Sequence, residues 1–172
     1  MFRLFGILAV IAGSSGLAFS IVGERKEYLE RCRQWREVIT LMEHEIAFQK
    51  SSLPEICSRV GMHLTGDKKV FLERVGKTFD EGDGSTLGEI WRRETGMVFS
   101  KEPLKKEVKK EVEELGKKLC FEDSEMQRKV LQDVEKSLKK HEEAQENLYR
   151  ERNKLTLCAG VMGGLLLTIL LL

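Results

Sequence analysis

YLERCRQWREVITLMEHEI, residues Tyr28–Ile46, decides the fold. Its apolar members Tyr28, Cys32, Trp35, Ile39, Met42 and Ile46 recur at spacings of four and three, which puts them on one stripe of an α-helix. A strand would need strict alternation, and neither alternation nor a hairpin turn signal occurs in the chain. The pattern predicts a helix over about Glu24–Gln49, polar on every face but one. Such a helix must bury its stripe against other elements, so the sequence on either side has to supply them.

Downstream it supplies more helices. Ser52 and Glu55 have the S-x-x-E spacing of a capping box, with Pro54 tolerated in the first turn. A short helix through Ile56, Cys57 and Val60 follows, with Gly61 as its stop. A third is predicted over Asp67–Glu81, with Val70, Phe71, Val75 and Phe79 facing inward. Gly82-Asp83-Gly84 is a turn. Thr86 and Glu89 form a second box and open a helix carrying Leu87, Ile90 and Trp91, ended by Gly96. After Ser100 a fifth helix carries Leu104, Val108, Glu111 or Val112, Leu115 and Leu119. Ser124 with Gln127 makes a third box. The last helix has the stripe Gln127, Val130 or Leu131, Val134, Leu138, His141, Gln145 and Leu148. The expected fold is all-α, an antiparallel bundle of about six helices.

Both ends of the chain are uncharged. LFGILAVIAGSSGLAFSIVG (Leu4–Gly23) and LTLCAGVMGGLLLTILLL (Leu155–Leu172) contain no ionisable acid or base other than Cys158. As helices they reach about 27–30 Å, close to the hydrocarbon thickness of a bilayer. Residues 4–23 and 155–172 therefore read as transmembrane helices flanking a polar domain, 24–154. Arg3, the apolar run and Ala18-Phe19-Ser20 also fit a cleavable signal peptide. The length of the run, and a heptad pattern that begins without a break after it, favour a span. Ala12 and Gly16 are four apart, as are Gly160 and Gly164, a spacing that lets membrane helices approach closely.

The chain holds 29 Lys and Arg against 28 Asp and Glu, and Arg3 is the one charge outside the domain, so the domain is neutral overall. That excludes wholesale nucleic-acid binding, which needs a clustered positive surface. Basic residues nevertheless gather just inside both ends: Arg25, Lys26, Arg31, Arg33 and Arg36 after the first, and Lys139, Lys140, Arg150, Arg152 and Lys154 before the second. The positive-inside rule then puts the domain in the cytoplasm and both termini outside. Arg25, Lys26, Arg31, Arg150, Arg152 and Lys154 are placed to meet anionic lipid headgroups.

No catalytic or metal-binding constellation stands out, and no cofactor or small-molecule substrate is expected. Gly76-Lys77-Thr78 imitates the end of a phosphate loop, but Phe71 occupies the place of the required glycine. His44-Glu45 lacks the second histidine of a zinc-protease helix. Gly82-Asp83-Gly84 lacks the ligand alternation of a calcium loop. Cys32, Cys57, Cys120 and Cys158 are too dispersed for a zinc or disulfide framework.

Three stretches together resemble the stage III sporulation protein AB family. Leu41-Met42-Glu43-His44-Glu45-Ile46-Ala47-Phe48 followed by Ser51-Ser52-Leu53-Pro54-Glu55 is similar to that family's L-x-E-x-E-I-x-[YF] and T-P-L-P-E. Leu87-Gly88-Glu89-Ile90-Trp91 and Leu115-Gly116-Lys117-Lys118-Leu119, with Asp123 and Gln127, form the second. The third is the tail from Lys154 to Leu172. Ser52 stands where the family usually has proline, and Cys120 where glycine is common.

The resemblance implies a non-enzymatic protein of the channel apparatus linking mother cell and forespore, set in the mother-cell membrane that faces the forespore. It implies partners among the other stage III sporulation A proteins, including a cytoplasmic ATPase, and a helical domain similar to those of type II secretion platform proteins. On this reading Glu43, Glu45, Leu53, Pro54 and Glu55, at the end of the first soluble helix, form the partner-binding surface. The alternative is a membrane-bound helical signalling or sensor protein.

Overall fold

The computed structural model describes the backbone of residues 2–48, 51–82, 84–120 and 123–171. It also describes their side chains, except at 2–12, 14–15, 17–19, 160–161, 164–165 and 167–171. Six helices and no strand occur among the described residues: α1 (Phe2–Phe48), α2 (Leu53–His63), α3 (Gly66–Glu81), α4 (Leu87–Phe99), α5 (Lys106–Lys118) and α6 (Ser124–Leu171). Among the described residues no helix is long and apolar enough to cross a membrane. Most side chains of the apolar ends lie outside that set, including those of Ala12, Gly160 and Gly164.

The chain divides into two compact units, residues 1–29 with 143–172 and residues 30–142. In the first unit Tyr28 is buried and meets Tyr149 edge to face at 6.1 Å. Arg25 lies over the Tyr149 ring and donates to Asn153 Oδ1 at 2.8 Å.

The second unit is a helical domain. The stripe of α1 is buried throughout, from Cys32 through Trp35, Ile39 and Met42 to Ile46. α2 packs on α3, α3 on α4 and α4 on α5. Ile56, Cys57, Val60, Phe71, Leu72, Val75, Ile90, Trp91, Val112, Leu115, Leu131 and Leu138 complete the core. Each such aliphatic or aromatic side chain contributes about 1.5–3 kcal/mol of transfer free energy. The centre is aromatic: Trp35 lies 5.3 Å from both Phe71 and Phe99, and Phe71 lies 4.9 Å from Trp91.

The capping signals at α2 and α4 are realised. The Ser52 N–H donates to Glu55 at 3.3 Å and the Thr86 N–H to Glu89 at 2.8 Å. The third signal is not used as read. Ser124 is already helical, and Asp123 Oδ1 accepts the Glu125 N–H at 3.0 Å in the capping role. Gln127 instead donates from its side chain to the Leu119 carbonyl at 3.1 Å.

Gly61 and Gly96 do not stop their helices, which continue to His63 and Phe99. On α3, Val70 and Phe79 face outward while Leu72 and Lys68 are buried. On α6, Glu142 rather than His141 takes the inward place, and Leu148 is exposed. A stop glycine works by adopting positive φ, and Gly82 does so at the end of α3, with φ 65°.

Candidate functional site

The residues expected to bind a partner form no single carboxylate face. Glu43 is half-buried against α6, where Gln132 Nε2 donates to it at 2.7 Å and Arg128 Nε at 3.2 Å. Burial pushes its pKa up. The hydrogen bonds from Gln132 and Arg128, with the Arg128 charge, outweigh that and hold the carboxyl below its ordinary value. Glu45 turns the other way, toward α2, with Arg59 Nη1 at 3.6 Å. Both are therefore seams of the domain, Glu43 joining α1 to α6 and Glu45 joining α1 to α2.

Pro54 is buried, and its carbonyl lies 3.1 Å from where a Cβ on Gly76 would stand. Leu53 is half-buried. Glu55 is exposed but engaged in the cap of α2. The outward-facing part of this end is Glu55 together with Phe48, whose ring is 85% exposed.

The six basic residues separate similarly. Lys26, Arg150, Arg152 and Lys154 are exposed. Arg25 is directed at Asn153 and Tyr149. Arg31 points into the helical domain, 3.8 Å from Glu102. Of the four small residues read as packing positions, Gly16 lies in α1 with nothing within 4 Å of a Cβ placed there, and the other three fall outside the described side chains.

The structure reveals buried charges that the sequence did not announce. Glu102 is 4% exposed although it lies in the connector between α4 and α5. Its Oε2 accepts the Trp35 indole N–H at 2.8 Å, and its Oε1 meets the Lys68 ammonium. Lys68, 3% exposed, also sits 4.3 Å from the Trp35 ring centroid. Burial pulls its pKa down, and Glu102 opposes the shift. Glu142 is held by Arg33 Nε at 2.6 Å and by Arg36, again joining α6 to α1. Glu94 lies under Arg93 and Arg74, at 3.5 and 3.9 Å. Glutamates and lysines on surface-like stretches carry no mark of burial, so pattern reading passes over them. The sequence pattern runs the fifth helix from Ser100 through Leu104, whereas α5 begins at Lys106 and Glu102 and Leu104 lie in the connector.

Chemically the domain holds structural ion pairs. Among the described residues no group of three His, Cys, Asp or Glu could hold a metal ion. Cys57 is buried and its pKa is pushed up to about 12, which suppresses the thiolate that a nucleophile needs.

No curated protein matches the chain. Its fold is similar to that of a solved structure described as stage III sporulation protein AB (SpoIIIAB). The TM-score is 0.64 at 19% identity, over 72% of this chain and 97% of that one. The family model for stage III sporulation protein AB matches residues 3–172, helical domain and both apolar ends together, and the chain belongs to that family.

Proposed function

We propose that this sporulation protein is a non-enzymatic, membrane-anchored scaffold of the channel apparatus between mother cell and forespore. The observation that carries the reading is the extent of the family match. It runs through 4–23 and 155–172 as well as the domain, so the apolar ends belong to the family's pattern. Each stretch is uncharged and, at 20 and 18 residues, long enough as a helix to span a bilayer. Both α1 and α6 continue through these stretches as helix, the backbone form that satisfies its own hydrogen bonds in lipid.

On this reading the domain lies in the mother-cell cytoplasm, and Lys26, Arg150, Arg152 and Lys154 meet anionic headgroups. The exposed end, Phe48 and Glu55, receives another stage III sporulation A protein, the cytoplasmic ATPase among the candidates. A photocrosslinking residue at position 48 in sporulating cells tests this, with adducts identified by mass spectrometry. The expected adduct is a protein of the same apparatus. Adducts with lipid alone, or none beyond those from an α5 control at Lys110, would overturn the placement of the surface.

A further inference from the structure

Glu102 is the odd member of the core. Residues on helices are held by their helices, but Glu102 sits in the non-helical connector after α4, followed by Pro103. Donors from two other helices converge on its one carboxylate: Trp35 and Arg31 from α1, and Lys68 from α3.

The α4–α5 hairpin on either side is packed within itself. Trp91 donates to the Val112 carbonyl at 2.7 Å and lies against Gly116, where a Cβ would stand 2.4 Å from the ring. Lys109 Nζ donates to the Phe99 carbonyl at 2.7 Å, tying the end of α4 to α5. The hairpin thus has its own internal cohesion. Phe99 and Trp91 lay it over Trp35 and Phe71, and the Glu102 carboxylate fastens it there.

We infer that Glu102 is a latch: it holds the α4–α5 hairpin closed over Trp35 and Phe71, and the hairpin opens as one unit when the carboxylate is lost. The reason is the ammonium left behind. A buried Lys68 that keeps its charge without its counter-ion is stabilised by access to water, and the group paired with it, Glu102, belongs to the connector. Lifting the connector carries Phe99 and Leu104 with it, while α2 and α3 keep their own contacts. Opening uncovers Trp35 and Phe71, a large apolar face that the closed domain conceals. Removing Lys68 as well removes the demand for water, so the hairpin closes again.

Hydrogen exchange on the full chain in detergent micelles tests this, comparing wild type, Glu102→Gln and the double variant Lys68→Met/Glu102→Gln. The expected result for Glu102→Gln is exchange faster by about tenfold or more across Leu87–Leu119, with Leu53–Glu81 unchanged. The double variant should return Leu87–Leu119 to within about threefold of wild type, a tolerance set by ordinary non-additivity. If Glu102→Gln does not fold, Lys68→Met, which leaves the buried Glu102 carboxylate without its ammonium, takes its place with the same expectation. A rise of equal size in α2, α3 and α4–α5 would make Glu102 an ordinary core residue and overturn the latch. So would an unchanged hairpin, or a double variant as open as the single.

Discussion

Trp35 and Trp91 are both fully buried, 4.9–5.3 Å from the same Phe71 ring, yet their surroundings are opposite in kind. Trp91 is enclosed by neutral groups: its N–H meets a backbone carbonyl and its face meets Gly116. Trp35 is enclosed by charge, with a carboxylate on its N–H and an ammonium over its ring. The Trp91 side depends on shape, and the Trp35 side on a balance of charges that is costly to leave half-made. A volume change should therefore be felt most at Trp91, and a change of polarity most at Trp35.

The largest expected effect is Trp91→Ala, which should destabilise by about 3–5 kcal/mol, read from denaturant unfolding. Gly116→Ala should follow at about 1–3 kcal/mol, because its Cβ would stand 2.4 Å from the base of the Trp91 side chain, which cannot swing aside. Trp→Phe substitutions sharpen the contrast. Both lose similar volume, but Trp35→Phe also removes a hydrogen bond to a carboxylate, worth about 1.5–3 kcal/mol. Trp91→Phe removes one to a neutral carbonyl, worth about 0.5–1.5. If Trp35→Phe proves the milder of the two, the charged enclosure contributes nothing and the comparison fails.

Acid should act at a third place, the seam between α1 and α6. Glu43 has a lowered pKa in the folded chain, so it stabilises above the ordinary carboxylate value and loses that contribution as pH falls through its folded value. Thermal unfolding followed from pH 6 down to pH 3 should show a declining Tm. Gln132→Ala with Arg128→Met should flatten the decline; an unchanged slope would remove Glu43 from the account. The smallest effect runs the other way. Nothing lies within 4 Å of a Cβ at Gly96, so Gly96→Ala should stabilise by about 0.5–1 kcal/mol.

Much of this was legible in advance. Trp35, Ile39 and Met42 are buried because a 3.6-residue repeat leaves their stripe no other place, and the repeat is visible in the letters. The caps at Ser52 and Thr86 were legible for a similar reason, being local chemistry at fixed spacing. Gly61 and Gly96 were misread because a glycine stops a helix only where the chain turns to positive φ. Whether it turns depends on the tertiary path, and Gly82 turns where they do not. The spacing from Val134 and Leu138 gives His141 preference on the inward stripe. Two arginines on α1 reverse that preference, and nothing near Glu142 in sequence announces them. The candidate surface was the least legible part. Glu43 and Glu45 look alike two residues apart, and only the packing of α6 and α2 shows that each belongs to a different seam.

The most direct test of the central claim, a helical domain anchored by both apolar ends and facing the mother-cell cytoplasm, uses a cysteine the protein already has. Cys120 is exposed at the end of α5, while Cys32 and Cys57 are buried. In a Cys158→Ser background the chain is expressed in vegetative cells, where its spans enter the outer cell membrane, and a membrane-impermeant maleimide is applied to intact cells and again after permeabilisation, with the protein followed through an alkaline carbonate wash. The account predicts no labelling of Cys120 in intact cells, full labelling after permeabilisation, and retention in the washed membrane. Labelling in intact cells, or release by carbonate, would contradict it.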